Sequence, residues 1–316
     1  MSRVAVLNKA APDPGTGSSG ERDHELDGLR GLAALIVAFF HFDAVWSACG
    51  RPQWVGFLLE KTPLALFVSG NASVILFFIL SGFVLALPWV RGRPDGYAVF
   101  AVKRICRIWL PYLVALCLSV LGNWKFHGLK GVSSWFELMW GQPVDPGLVL
   151  RHVLFLGSYP TESFNGVFWT LRMEMRISLI FPLLCWAVLY FTPGRAILLV
   201  GLFLGGALGS LWLIPKGIGF TLLYVGLFLV GILMARHRRQ VGAMVTRLPR
   251  AAWVPWLLLS LFFYFEVEAL VDFGTSEFRI GVAILLAALG GAGSLPWHWG
   301  KRAASRGSSA IRSCCF

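Results

Sequence analysis

The segment ELDGLRGLAALIVAFFHF, residues 25–42, indicates the fold class because its charged start is followed by a long apolar run. A helix that crosses a bilayer needs about 20 predominantly apolar residues, and this run fits that length. Two polar side chains interrupt it, Arg30 near the start and His41 near the end. Because 11 residues advance a helix about 20° past three full turns, both share one face, about 16 Å apart along the axis.

The composition of the whole chain is that of a polytopic membrane protein. Its 316 residues are 57% hydrophobic and 14% charged, whereas soluble domains carry about 25% charged residues. The net charge of +12 would favour a nucleic-acid partner in a soluble protein, but here the basic residues lie mostly between apolar runs. We therefore expect a lipid bilayer and no nucleic acid as partner. The 6 Cys and 6 His show no metal-ligand spacing, so no metal site is expected.

Apolar runs along the chain predict an all-α transmembrane bundle of about eight helices. They lie near residues 29–46, 72–90, 105–122, 177–192, 195–213, 218–235, 252–270 and 279–296. A long segment at about 123–168 separates the third and fourth runs, and its short apolar stretch at 148–157 is predicted to be interfacial or re-entrant. The domain prediction is a flexible N-terminal segment at 1–24, a transmembrane domain at 25–297 and a basic, serine-rich tail at 298–316.

The distribution of Lys and Arg predicts the orientation of the helices. Cytoplasmic segments of membrane proteins are enriched in these residues. With the N-terminus inside, the short outer segments carry few of them, namely Arg51, Lys61, Lys216 and Arg279. The inner segments carry many more, so both termini are predicted to be cytoplasmic.

Two further polar features interrupt apolar helices. FFILSGF at 77–83 places Ser81 and Gly82 inside a predicted span, where the pair allows close backbone approach. VKRICRIWLPYL places Arg104 and Arg107 three residues apart at the inner end of the third helix. Arginine recognises phosphate through two parallel hydrogen bonds, so this cluster could hold a nucleotide-like ligand.

A third feature lies at the predicted start of the fourth helix. FWTLRMEMRISLIFPLL, residues 168–184, carries Arg172, Glu174 and Arg176. Ionisable residues at membrane depth are costly and mark functional sites. Arg172 and Arg176 are one helical turn apart and share a face, whereas Glu174 points elsewhere.

Each feature alone also has an ordinary structural explanation. Arg30 could extend to the headgroups while His41 bonds a neighbouring helix, and the Ser-Gly pair could be a packing notch. The arginines of the third helix could be orientation anchors, and Glu174 part of an interfacial ion pair.

Taken together and in order, these segments resemble the acyltransferase-3 family of integral membrane acyltransferases. The matching pieces are DGLRGLAALIVAFFH, FFILSGFVL, KRICRIWLPY, FWTLRMEMRISLIFPLL and, more weakly, GLFLVGILMA at 226–235. They span residues 26 to about 235. Family members usually continue into one or two further helices with an S-Y-x-x-Y-L-x-H segment, from which residues 293–316 depart. The C-terminal end is therefore expected to be atypical or truncated.

The resemblance implies O-acyl transfer, usually acetyl transfer, in the bacterial inner (plasma) membrane. The donor would be a cytoplasmic acyl-CoA such as acetyl-CoA, used as a substrate with no bound cofactor. The acceptor would be a hydroxyl of a cell-envelope glycan or a lipid-linked sugar. Residues that match the family's functional positions are Arg30, His41, Ser81, Gly82, Arg104, Arg107 and Glu174.

A mechanism follows as a hypothesis from this match. His41 acts as general base on the acceptor hydroxyl, because imidazole titrates near neutral pH without a large shift. Arg30 binds a donor phosphate or holds a carboxylate, while Arg104 and Arg107 bind the phosphates. Two roles stay open. Glu174 either orients His41 or binds acceptor hydroxyls, and Ser81 is either a packing residue, which we favour, or a covalent acyl carrier.

Two other classes of protein fit the same residues. A transporter or flippase would line its pathway with intramembrane Arg, His and Glu, although the chain shows no internal repeat of the kind many transporters have. A catalytically inactive family member would keep the fold without the chemistry.

Overall fold

The computed structural model describes residues 24–129, 134–155, 159–213 and 217–247, with isolated positions at 252, 254, 255 and 258. These ranges are mainly helical and contain no strand, which confirms the predicted all-α class for the described part of the chain. The α-helices are α1 (His24–Ala48), α2 (Gln53–Lys61), α3 (Gly70–Val90), α4 (Tyr97–Phe126), α5 (Ser134–Trp140), α6 (Pro146–Leu154), α7 (Phe168–Tyr190), α8 (Pro193–Leu213) and α9 (Gly217–Arg247). Two 3-10 helices are added at Pro63–Val68 and Thr161–Ser163.

Six of the described helices, α1, α3, α4, α7, α8 and α9, are long and apolar enough to cross a membrane. They correspond to the first six predicted spans. The predicted runs at 252–270 and 279–296 and the tail at 298–316 lie outside the described residues, apart from the isolated positions. So does the N-terminal segment before residue 24.

Two helices begin earlier than the apolar pattern predicts. α4 begins at Tyr97 and not near 105, and α7 begins at Phe168 and not near 177. Both helices carry charged side chains in their second and third turns. They are Lys103, Arg104 and Arg107 in α4 and Arg172, Glu174 and Arg176 in α7. Hydropathy alone treats such turns as lying outside the bilayer. The structure keeps them helical because Arg104 of α4 and Glu174 of α7 pair with each other.

The core of the bundle lies where α3, α7 and α9 meet. Phe78, Phe181 and Phe228 are almost completely buried there, and the ring of Phe228 lies 5.8 Å from that of Phe78 and 6.4 Å from that of Phe181. α1 packs on α3, α8 packs on α9, and α4 packs on α7. α3 and α9, which pack on each other, are therefore the helices around which the described part of the bundle is organised.

Glycine allows α3 and α9 to approach closely. A methyl group at Gly82 would overlap the backbone carbonyl of Phe228, and one at Gly231 would overlap the backbone around Ile79 and Phe83. Small residues at such crossings let helix backbones touch, as in other membrane bundles. The FFILSGF segment thus has a packing function whatever else it does.

The described parts of the segment between α4 and α7, residues 127–129, 134–155 and 159–167, pack against the bundle. Trp109 donates to the Val153 carbonyl over 2.8 Å, Asn123 donates to the Gln142 carbonyl over 3.1 Å, and Ser119 donates to the Phe164 carbonyl. α6 covers most of the predicted short apolar stretch, and its 9 residues are too few to span. We call these described parts between α4 and α7 the connecting segment.

Candidate functional site

A cavity of about 370 Å³ opens where α1, α3, α4 and α7 meet. It is lined by Asp27, Arg30, Gly31, Phe77, Arg107, Ile108, Pro111, Leu171 and Glu174, and we call it the Arg30 cavity. The Arg30 guanidinium lies over the Phe77 ring, 5.2 Å from its centroid, in a cation–π contact. Arg30 also interacts electrostatically with Arg107, Arg104, Glu174 and Asp27. Charged groups from three helices therefore converge at one place in the bundle.

Arg104 and Glu174 form a buried ion pair beside this cavity. Nη2 of Arg104 lies 2.7 Å from Oε1 of Glu174, and the two side chains are only 5% and 6% exposed. Arg104 also donates from Nη2 and Nε to the Ser178 hydroxyl, over 3.0 and 3.2 Å. Buried ions are tolerated when they are paired and hydrogen-bonded in this way.

The pairing separates the roles of the three arginines. Among the described residues, the wall of the cavity includes Arg30 and Arg107 but not Arg104. Arg104 compensates Glu174, so Arg30 and Arg107 are the cations placed to meet a ligand in the cavity. With three arginines against Asp27 and Glu174, the cluster carries one net positive charge.

A second, smaller cavity of about 60 Å³ lies beside His41. It is lined by Val37, Phe40, His41, Gly70, Asn71, Val74, Val167, Trp169 and Thr170, and we call it the His41 cavity. The His41 imidazole is half-buried and meets the Phe40 ring edge-on, with 5.3 Å between centroids. The space is sufficient for a group of a few non-hydrogen atoms.

The two cavities lie on the same flank of α1. Arg30 and His41 both face α3 and α7. These helices contribute Phe77 and Glu174 to the wall of the Arg30 cavity. They contribute Asn71 and Thr170 to the wall of the His41 cavity. This is the arrangement that their 11-residue spacing predicts. Glu174 lies with the arginines, one helical turn along α7 from the Thr170 that lines the His41 cavity.

Ser81 and Gly82 are not among the residues that line the two cavities. Ser81 is 1% exposed, and its hydroxyl has no hydrogen-bond partner within the described part of the chain. Gly82 meets the backbone of α9. Gly82 therefore has a packing role, and the choice between packing and acyl carriage for Ser81 stays a prediction.

The connecting segment also takes part in a buried polar cluster that the sequence patterns did not predict. Nδ1 of His152 in α6 lies 2.6 Å from the Tyr112 hydroxyl, and the imidazole is fully buried. Arg172 donates to the Tyr159 carbonyl over 3.0 Å and lies over the Tyr159 ring. Burial lowers the pKa of His152 to about 4. The cluster therefore joins the connecting segment to α4 and α7 through a neutral imidazole.

A signal for His152 was present in the sequence. Leu148, Val149, His152 and Val153 recur at helical spacing, so His152 lies on the apolar face of its short helix. A histidine on such a face is buried when the helix docks. The partner, Tyr112 in α4, is 40 residues away, and no local pattern identifies it.

Comparison with known proteins identifies the family. The acyltransferase-3 family model, described as an acyltransferase domain, matches residues 23–311. A putative acetyltransferase, ORF330, of Acidianus two-tailed virus is 33% identical over 164 residues, which cover 51% of this chain and 41% of that protein. The acyltransferase MdmB of Streptomyces mycarofaciens is 32% identical over 161 residues, 50% of this chain and 38% of that protein.

A further relative is named for O-acetylation of peptidoglycan. The peptidoglycan O-acetyltransferase OatA of Listeria monocytogenes is 24% identical over 214 residues, 63% of this chain and 29% of that protein. The chain thus spans less than half the length of these relatives. No solved structure matches it. Because the family model covers most of the chain, the protein belongs to the acyltransferase-3 family.

Proposed function

We propose that the chain is a membrane O-acyltransferase that moves an acyl group from acyl-CoA to a hydroxyl of a carbohydrate or glycoconjugate. The proposed acyl group is acetyl. The observation that carries the proposal is the placement of a cationic cavity and a histidine cavity on one flank of α1. The names of the similar proteins, acetyltransferases and acyltransferases, support the reaction class.

The Arg30 cavity is the proposed site for the phosphates of the donor. Arg30 and Arg107 line it, and guanidinium groups bind phosphate oxygens through charge-assisted hydrogen bonds. Arg104 has a different task, because its charge holds Glu174 in place. In the proposed orientation, with a cytoplasmic N-terminus in a bacterial inner membrane, this end of α1 faces the compartment that supplies acyl-CoA.

The His41 cavity is the proposed site of acyl transfer. It lies about 16 Å along α1 from Arg30, a distance comparable to the extended phosphopantetheine arm of coenzyme A. A donor with its phosphates at Arg30 can therefore present its thioester at His41. The small volume of the cavity suits a short acyl group such as acetyl.

The reaction needs one base and one leaving group. The acceptor oxygen attacks the thioester carbonyl carbon while its proton passes to the His41 imidazole. The new C–O bond forms, the carbonyl oxygen takes the negative charge, and the intermediate then collapses with cleavage of the C–S bond. The thiolate of coenzyme A leaves and takes the proton from the imidazolium. General-base help of this kind contributes about 10²–10⁴ in rate.

The acceptor is proposed to approach from the side of the connecting segment. Val167, which directly precedes α7, forms part of the wall of the His41 cavity. Positive-inside bias predicts that the connecting segment lies outside the cytoplasm. A cell-envelope glycan or a lipid-linked sugar at the outer face would therefore reach His41 from there.

The test is acyl transfer by the full chain in lipid vesicles supplied with acetyl-CoA radiolabelled in the acetyl group. Acceptor glycans are added, and the products are label in an alkali-labile ester and an equal amount of free coenzyme A thiol. Label in ester form that depends on the protein supports the proposal. Uptake of unmodified glycan without ester formation would instead identify a transporter, and no transfer to any hydroxyl acceptor would identify an inactive family member.

A further inference from the structure

The His41 cavity contains a side chain to which the mechanism above gives no task, the carboxamide of Asn71. Attack on a thioester places negative charge on the former carbonyl oxygen. Enzymes stabilise that oxygen with hydrogen-bond donors fixed before the reaction begins, and removal of one such donor costs about 10²–10³ in kcat. A catalytic cavity built around His41 therefore requires a donor as well as a base.

The described polar side chains of the cavity differ in what they can donate. The Thr170 hydroxyl already gives its proton to the Val167 carbonyl over 2.7 Å. Trp169 offers a single indole N–H, and its ring packs against Tyr224, with 5.4 Å between ring centroids. Asn71 carries a carboxamide with two N–H donors, so it can keep a contact within the protein and still donate to a bound group.

The position of Asn71 on α3 favours the same task. α3 begins at Gly70, so Asn71 lies in the first turn, where unpaired backbone amides carry partial positive charge. The Ser69 side chain makes no capping hydrogen bond to this helix start, and its hydroxyl donates to the Ala65 carbonyl over 2.7 Å. A methyl group at Gly70 would overlap the Phe40 ring. Glycine thus keeps the start of α3 close to α1 and to His41.

We propose that Asn71 is a further catalytic residue, whose amide donates a hydrogen bond to the oxyanion while His41 takes the acceptor proton. The assignment rests on the proposed function. Asn71 forms and breaks no covalent bond. The C–O bond forms as the carbonyl electron pair moves to oxygen, and the C–S bond breaks as the pair returns. Asn71 binds the oxygen most strongly between these two events.

The experiment compares Asn71→Leu and Asn71→Asp with the unchanged protein, each as the full chain in lipid vesicles. It measures kcat, the KM for acetyl-CoA and the Kd of a thioether analogue of acetyl-CoA, which binds but has no electrophilic carbonyl to be attacked. The matched control is Gln240→Leu, which removes an exposed carboxamide at the far end of α9, where it contacts His237. His41→Ala is measured in parallel.

The expected result is a fall in kcat of about 10²–10³-fold in both Asn71 variants. The KM and the Kd of the analogue stay within a few-fold, because the interaction strengthens only as charge develops. Asn71→Asp, although it keeps the shape, is no more active than Asn71→Leu, since a carboxylate repels the oxyanion. Gln240→Leu keeps full activity.

Three results would overturn the assignment. Asn71→Leu could keep kcat within a few-fold, Asn71→Asp could approach normal activity, or kcat could fall only in step with the loss of analogue binding. If His41→Ala abolishes transfer and one of these three results is found, the Asn71 assignment is wrong while the proposed catalytic site at His41 stands. If His41→Ala retains transfer, the proposed catalytic site itself is wrong and Asn71 loses its role with it.

Discussion

Replacing Glu174 with glutamine removes the anion that compensates Arg104 between α4 and α7. The two side chains are 6% and 5% exposed, and 2.7 Å separates Oε1 from Nη2. After the change, Arg104 stays charged and buried, with the Ser178 hydroxyl as a neutral partner. Breaking a buried pair by removing one member costs about 3–5 kcal/mol, because the remaining charge is uncompensated. We expect a loss of that size in the free energy of unfolding.

The double variant Arg104→Met/Glu174→Gln separates the pair from the individual side chains. With both charges gone, no buried ion is left without a partner, so the double variant is expected to lose less stability than either single variant. The free energy of unfolding is measured by denaturant titration in mixed micelles, with the fluorescence of the 14 tryptophans as the signal.

The neighbouring Lys103 provides the matched control. Lys103 lies 2.8 Å from Asp95, but these side chains are 65% and 49% exposed, and exposed pairs contribute only about 0–1 kcal/mol. Lys103→Met is therefore expected to change stability little. The reasoning is refuted if Glu174→Gln costs no more than Lys103→Met, or if the two single losses simply add in the double variant.

Three other predictions follow from the described contacts. Gly82→Ala places a methyl group against the Phe228 carbonyl and should lower the free energy of unfolding by about 1–3 kcal/mol. The control Gly194→Ala, with open space around the new methyl group, should change the free energy of unfolding by no more than about 0.5 kcal/mol. Equal effects of the two changes would contradict the close α3–α9 crossing. Arg107→Met should raise the KM for acetyl-CoA about tenfold or more while kcat changes less, since a charged hydrogen bond contributes about 1.5–3 kcal/mol; an unchanged KM would remove Arg107 from the donor site. Burial lowers the pKa of His152 to about 4 in the folded protein, so on acidification the imidazole takes up a proton in the unfolded chain before it does so in the folded protein. The free energy of unfolding should therefore fall by up to about 3 kcal/mol between pH 6.5 and pH 4. His152→Phe should flatten that part of the stability curve, and identical pH slopes for the two proteins would contradict the neutral imidazole.

The helical class and the first six spans could be predicted because hydropathy over about 20 residues reports directly on lipid contact. The shared flank of Arg30 and His41 followed from helical periodicity alone. The start of α7 could not be placed in this way. Arg172 and Glu174 look interfacial by hydropathy, and only their partners on α4 and in the connecting segment show that the helix continues through them.

The partner of each buried polar group is the information that the sequence does not carry. The predicted Arg104–Arg107 cluster divides in the structure, because Arg104 turns to Glu174 while Arg107 lines the cavity. Arg104 and Glu174 are 70 positions apart in the chain. Asn71 is similar, since nothing local distinguishes it from any polar residue at a helix start, and only the juxtaposition of α1, α3 and α7 places it beside His41.

The role of His41 as general base is tested by the rate of acetyl transfer by His41→Gln and His41→Ala at equal membrane insertion. If the imidazole takes the acceptor proton, kcat falls about 10²–10⁴-fold in both variants while the KM for acetyl-CoA changes little. Added imidazole should restore part of the rate in His41→Ala, where the missing ring leaves space. Transfer that survives within a few-fold in either variant would show that His41 is not the base.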